Sequence, residues 1–554
     1  MTRRRLLPIG LALLSTVACS NPAPQGASAS ASARPSGSSA RSSDSPAPRA
    51  SSAQSAASAT VASNTASAPA PEAPISPEIA ARIGAFEAGL LPSLTLTGVD
   101  LAQRLEPRMV HYKVPAFGVA VIEDGKVQWA KSYGLRARGG AGAVDRDTLF
   151  QAASISKPVT AVAVLRLVQA GKLDLDADVN TYLTSWKVPT TAKKTTLRAL
   201  LSHTAGVSAP EQTAYFDPSG GFRGYKPTDP LPTTAQILKG EKPAISEAIE
   251  VATPDKPVFA YSGGGYTIIQ QVVEDVTGQS FADAMKTWVL DPAGMTRSTF
   301  ATTPPDDDYA RAHTREGDPA EGGYVVVVEK AAGGLWTTPS DLALFVAELM
   351  AAYQGKSDKL LKQDTAKLML TAVADARPRI AGSIGLGMFV SDDPGDLWFS
   401  HNGHNPGFHG TIAAVPALGK GVVMMVNRED GAGLIGEATY GLGALYDWPA
   451  RTGVRSREKP TATIAAEDAA ALKGSFEGGG LLAPSLKVKL RTDGLAVYAT
   501  LDDQPEARVY PISKTDFVEP FAPAILRFKV DKGRATSVLL DSPLGKREAD
   551  RSGD

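Results

Sequence analysis

A single cysteine, Cys19, occurs in 554 residues. No intramolecular disulfide can form, so the folded part must hold itself together by its apolar core. Histidine is scarce as well, with six, and His401, His404 and His409 lack the helical i, i+4 spacing of an H-E-x-x-H zinc site. Neither a metal nor another cofactor is expected. Charge of one sign is also missing: 57 basic residues face 58 acidic ones, for a formal net charge of -1. That balance excludes the broad field by which proteins gather nucleic acid or an anionic surface, and a small-molecule or peptide partner fits better. No G-x-S-x-G run occurs, so the nucleophile elbow of an α/β-hydrolase is absent. Hydrophobic residues make up 43% of the chain, enough for a substantial core and for more than one folded unit.

The N-terminus "MTRRRLLPIGLALLSTVACS" has a basic start and an apolar run from Leu6 to Val17, too short for a stable membrane span and shaped like an export signal. Cys19 directly after the run resembles a bacterial lipoprotein signal, although Thr16 stands where that pattern prefers Leu. The resemblance implies cleavage before Cys19, a lipid on it, and attachment to a bacterial envelope membrane. Arg3 and Arg4 also loosely match a twin-arginine signal. From residue 20 to 76 the chain is nearly all Ala, Ser and Pro, which cannot bury a core and reads as a disordered tether.

A folded body is expected over 77–450. Leu101 to Val110 has a helical pattern, and "FGVAVIEDGKVQWAKSYG" reads as a β-hairpin around Asp124-Gly125. "PVTAVAVLRLVQA" is apolar nearly all round and stops at Gly171, which predicts a buried helix with Pro158 in its first turn. "YTIIQQVVEDVTG" and "TTPSDLALFVAELM" predict two more helices, the second with Thr338 as N-cap. "FHGTIAAV" and "GVVMMVN" form a second hairpin, and "LIGEATYGLGALYDW" a last helix. Strands at both ends of this unit imply an α+β fold, an antiparallel sheet flanked by helices plus a helical region. Residues 461–548 alternate at period two with Asp493-Gly494 and Lys532-Gly533 as turns, which predicts a small all-β C-terminal domain.

Within "LFQAASISKP", Ser154 and Lys157 are three residues apart at the start of the buried helix. On a helix such residues are neighbours, so an amine can take the proton of a hydroxyl that is a poor nucleophile by itself. The helix N-terminus favours negative charge near the serine oxygen. Taken alone, the spacing arises readily by chance on an exposed polar face.

It is one of six ordered motifs: "AASISKP", "LLSHTAGV", "YSGGGY", "PAGMTRSTF", "AAGGLWTTPSDLALF" and "HNGHNPGF". Together, over about 85–450, they resemble the serine β-lactamase and penicillin-binding superfamily, most of all its class C-like branch of β-lactamase-related esterases and D-alanyl peptidases. The resemblance implies Ser154 as nucleophile, Lys157 as its base, Tyr261 as the tyrosine of Y-x-N, and His401-Asn402-Gly403 as the K-T-G element with His for Lys. It implies an oxyanion hole from the backbone N–H groups of Ser154 and His404. It sets Gly263, Gly334 and Gly403 beside the substrate. His203 reads as a structural residue holding a loop, and Tyr266 as packing.

Two departures bear on substrate. Gly263 replaces an Asn whose amide, in relatives, contacts the Lys and the substrate's acylamide. His401 replaces a permanent cation that attracts a β-lactam carboxylate, and an imidazole is largely neutral above about pH 6.5. Acyl transfer through Ser154 to an ester, a D-amino-acid peptide or a β-lactam follows, with esterase or peptidase activity favoured. The alternative is a non-catalytic cell-wall-binding or sensing lipoprotein that keeps the fold.

Overall fold

A computed structural model describes residues 75–553, apart from 141, 190–192, 211–214, 216–222, 378–381, 392–396, 450–455, 479–485, 503–505, 522–523 and 543–544. Cys19 and the Ala/Ser/Pro-rich tether lie outside the described residues. Among those described, no helix is long and apolar enough to cross a membrane.

Eight strands build one antiparallel sheet: β1 (Ala116–Glu123), β2 (Lys126–Gly134), β3 (Ala374–Asp375), β4 (Ser383–Ile384), β5 (Phe389–Val390), β6 (Phe399–Asn405), β7 (Phe408–Val415) and β8 (Lys420–Val426). Their order is β2-β1-β8-β7-β6-β5-β4-β3. Both expected hairpins form, and the two ends of the unit meet where β1 pairs with β8, Phe117 opposite Val426 and Ile122 opposite Gly421. Asp124 and Gly125 turn the first hairpin with positive φ at both, which suits the twist of its strands.

Helices α1 (Pro77–Ala88), α2 (Ser156–Gln169), α3 (Gly263–Thr277), α4 (Pro339–Tyr353) and α5 (Ala432–Leu445) cover the sheet. Strand β8 shows why its sequence is apolar throughout. Val423 and Met425 enter the core that holds α2, α3 and α4, while Val422, Met424 and Val426 enter a second core with Phe86 of α1 and Leu434 of α5. Successive side chains of a strand point to opposite faces, so a doubly covered strand has no polar side. Gly171 at φ 68° follows α2, and Thr338 caps α4 by accepting the Asp341 N–H at 3.1 Å.

Two expectations are corrected. The helix in the 101–110 pattern covers only Leu105–His111, because Leu101 is drawn into a cluster with Leu94, Leu96 and Val518. The helix expected from Tyr266 onward begins three residues earlier, with Gly263–Gly265 as the first turn of α3. A Cβ on Gly264 would lie 2.5 Å from the Ser208 oxygen and 2.7 Å from Ile249 Cδ1, so only glycine lets the chain at 208 pack against that turn.

The C-terminal unit is a closed eight-stranded antiparallel barrel running from Gly474 to Gly553. Phe476, Val488, Phe517, Leu526 and Val538 fill it, joined by Leu472 of a short helix (Ala466–Leu472) that the strand-only reading did not foresee. Val518, Tyr510, Ile512, Phe521 and Ile525 pack on Leu94, Leu96 and Leu101. Arg108 binds both carboxylate oxygens of Glu437 on α5 and lies 4.8 Å from the Phe521 ring centre. This links the α+β body and the barrel on the α1/α5 side of the sheet.

Candidate active site

Ser154 sits in a tight turn, Ala153–Ile155, directly before α2. Ala153 has φ 50°, in the left-handed region, which costs a residue with a side chain about 1–2 kcal/mol. Hydrogen bonds hold the turn against that strain. Ala152 N–H donates to Leu335 O at 2.9 Å, and Ser156 Oγ donates to Ala153 O at 2.6 Å while accepting from Leu335 N–H at 2.9 Å. From Gln151 to Leu165 every residue is buried except Ser154. The turn thus offers one hydroxyl to solvent from an otherwise closed segment.

Lys157 points back to it, as the spacing predicts. Its Nζ donates to Ser154 Oγ at 3.0 Å and to Ala332 O at 2.7 Å, and the residue is only 2% exposed. The same Nζ lies 4.9 Å from the ring centre of Tyr261 and 5.7 Å from that of Tyr266. Ala332 belongs to the turn Lys330–Gly333, which Gly334 closes through its N–H to Lys330 O at 2.9 Å. Gly334 is thus a helix cap one residue beyond the carbonyls that face the site.

Tyr261 precedes Ser262, the N-cap of α3, whose Oγ accepts the Gly265 N–H at 3.2 Å and donates to Ser208 O at 2.6 Å. Gly263 opens α3 and is buried. His203 holds this corner as expected, its Nδ1 accepting the Ser262 N–H at 3.2 Å. Its ring also packs on that of Tyr261 at a tilt of 32°, centre to centre 4.4 Å.

Strand β6 brings the third motif. His401, Gly403 and Asn405 are buried while Asn402 and His404 are not, the alternation of a strand with one face on the Ser154 turn. A Cβ on Gly403 would overlap the carbonyl oxygen of Ala152 and lie 3.3 Å from Ala153 Cβ. Asn405 Nδ2 ties the turns together by donating to Gln151 Oε1 and to Gly333 O, both at 3.1 Å. Strand β5 pairs with β6 only at Phe399 and Ser400, so the β5 ladder ends before His401.

His401 lies 6.4 Å from Tyr261 and 5.2 Å from Phe389, ring centre to ring centre. Burial, and then the charge of Lys157, push its imidazole down to about 3. With Nδ1–H donated to Asn402 O at 2.7 Å it is a neutral ring throughout the physiological range. The sequence placed that neutrality only above about pH 6.5. His404 extends on the other face, where its Nε2 meets Glu429 Oε1 at 2.9 Å and its ring stacks on His409 at 4.2 Å. His401 and the pair His404/His409 therefore occupy opposite faces of the sheet, and among the described residues no group of three His, Cys, Asp or Glu is arranged to hold a metal.

The family model that matches this chain is "Beta-lactamase", over residues 101–444, well over half of its length. The chain belongs to the beta-lactamase family. Among relatives of this beta-lactamase-family protein, penicillin-binding protein 4 of Amycolatopsis lactamdurans is 27% identical over 346 residues, spanning 59% of this chain and 84% of that one. Penicillin-binding protein 4* of Bacillus subtilis (strain 168) is 23% identical over 454 residues, 78% of this chain and 94% of that one. The octameric penicillin-binding protein homologue from Pyrococcus abyssi superposes with a TM-score of 0.55 at 21% identity, over 80% of this chain and 98% of that one. At that identity the likeness speaks for the fold.

Sequence reasoning did not single out Ala332, Gln151, Asn405 or Glu429. Asn405 carried one usable signal, since it falls on the same strand face as His401 and Gly403. The Ala332 carbonyl carried none, because any residue supplies a carbonyl and only the fold decides which one meets Lys157.

Proposed function

We propose that the protein is a serine hydrolase acting through an acyl-Ser154 intermediate. One observation carries the reading: a buried amine, Lys157 Nζ, lies 3.0 Å from the only hydroxyl that its closed segment exposes. As a neutral amine Lys157 takes the Ser154 proton while Oγ attacks the acyl carbonyl. The tetrahedral oxyanion is held by the N–H groups of Ser154 and His404, each worth about 3 kcal/mol in the transition state. Tyr261 passes the proton to the leaving group as the bond to it breaks, and water then hydrolyses the acyl-enzyme. The preferred donors are esters and D-amino-acid peptides rather than β-lactams. Gly263 offers no side-chain amide to an acylamide, and the neutral ring of His401 offers no charge to a carboxylate.

Labelling with a fluorophosphonate or a fluorescent penicillin, mapped by mass spectrometry, tests this beside turnover of short-chain esters, D-Ala-D-Ala peptides and nitrocefin. The adduct should map to Ser154, and Ser154→Ala should keep the fold and less than a few per cent of the activity. An adduct elsewhere sinks the reading. An adduct at Ser154 without turnover of any substrate would favour a binding or sensing protein.

A further inference from the structure

Position 263 supplies no side chain to Lys157, and among the described residues no carboxylate pairs with the amine. Its remaining neighbours are rings. Tyr266, one turn beyond Gly263 and so on the same helix face, is fully buried with its ring 5.7 Å from Nζ. Tyr261 lies on another side at 4.9 Å. His203 packs against both tyrosines, 4.4 Å from Tyr261 and 5.3 Å from Tyr266.

We propose that His203 and Tyr266 are positioning residues for the proton-transfer pair: with Tyr261 they form an aromatic cage that holds the Lys157 amine against Ser154. The proposal rests on the serine hydrolase reading and deepens it. The faces of the two phenol rings carry negative potential and stabilise, by cation–π attraction, the ammonium that forms as Lys157 takes the Ser154 proton, the more so for being out of water. Lys157 is the charge that acts on both His203 and His401, and burial keeps both imidazoles neutral, so neither adds a competing cation.

The details of His203 favour the ring over a mere loop tie. It adopts φ 55°, a left-handed backbone region that Asn also visits as a single residue. An Asn there would also supply an acceptor for the Ser262 N–H. Among the described residues His203 instead leaves its buried Nε2 without a partner, a cost the loop tie does not require. What the imidazole adds is a flat surface against which Tyr261 and Tyr266 are fixed.

The test compares His203→Asn, Tyr266→Leu and Tyr266→Phe with wild type in the rate of acylation by a p-nitrophenyl ester between pH 5 and 10, alongside thermal unfolding. Loss of a ring should slow acylation about tenfold in His203→Asn and Tyr266→Leu. It should also move the acid limb of the profile to lower pH, because the ammonium loses a partner and the neutral amine does not. Tyr266→Phe keeps the ring and should recover to within about threefold, with the wild-type limb. If Tyr266→Leu does not fold, His203→Asn carries the same comparison. Equal behaviour of the Phe and Leu variants, or slower rates with an unmoved limb, overturns the cage. A Ser154→Ala control that still reacts would overturn the serine hydrolase reading instead.

Discussion

Gly403 and Ala152 approach so closely that a Cβ at position 403 would overlap the Ala152 carbonyl oxygen. Strand β6 is thereby seated on the Ser154 turn with no side chain between them. Backbone cannot yield as a flexible side chain can, so Gly403→Ala must push the strand away from Ser154. We expect a stability loss of about 1–3 kcal/mol and at least a hundredfold slower acylation. Urea unfolding and ester burst kinetics measure the two, and an active, stable Ala variant would show that the strand position is not critical.

His401 and Gly263 set the substrate prediction. Missing contacts to a side-chain amide and to a carboxylate should cost a β-lactam about 2–4 kcal/mol of transition-state binding, roughly thirty- to a thousandfold. Short-chain p-nitrophenyl esters use neither contact. Their kcat/KM should exceed that for nitrocefin, and His401→Lys should narrow the gap. Nitrocefin turnover at or above the ester rate would refute the preference.

Acid should destabilise the fold. His401 and His409 are both pushed down to about 3, each chiefly by burial, the first then by the Lys157 charge and the second by His404. An unfolded histidine titrates near 6.5. Between those values the unfolded chain binds protons that the native one does not, so stability is complete above about pH 6.5 and falls as the pH drops toward 3. At pH 5.5 the pair should cost about 3 kcal/mol relative to pH 7.5. Denaturant midpoints at the two pH values decide it, and equal stability would contradict the burial of these rings.

Arg108 and Glu437 form a pair with side chains only 13% and 5% exposed. Removing the guanidinium leaves a buried carboxylate without its countercharge, with the Tyr112 hydroxyl still donating to it at 2.6 Å, which costs about 3–5 kcal/mol. Arg108→Met should lower the unfolding free energy by that amount. Because the pair lies on the α5 side of the sheet, away from Ser154, ester turnover of the folded variant at low temperature should be unchanged. A large drop in kcat without a drop in stability would reverse this division.

The reading of Cys19 as a lipid-bearing residue predicts that the full chain fractionates with membranes, while a chain beginning near residue 75 is soluble and equally active. Loss of activity on truncation would show that the Ala/Ser/Pro stretch is more than a tether.

Much of this protein follows from local periodicity. The Ser154–Lys157 pairing was legible because an i, i+3 spacing on a helix is a geometric statement, and the hairpins of 116–134 and 408–426 because period two and turn residues act over a few positions. The α+β class followed from strands at both ends of the unit. The start of α3 at Gly263 was not legible, because glycines usually favour loops and only the fold shows that the chain at Ser208 leaves no room for a side chain at 264.

Tertiary structure decided the rest, since it concerns contacts between segments far apart in the chain. No pattern near Lys157 names the carbonyl of Ala332 or the ring of Tyr266 as its partners. The low protonation of His401 comes from being 2% exposed beside Lys157, a property of the packed core and not of the residue. The sequence by itself determined which groups were available and where the chain turns. Only the fold, by excluding water and fixing distances, determined which of them meet.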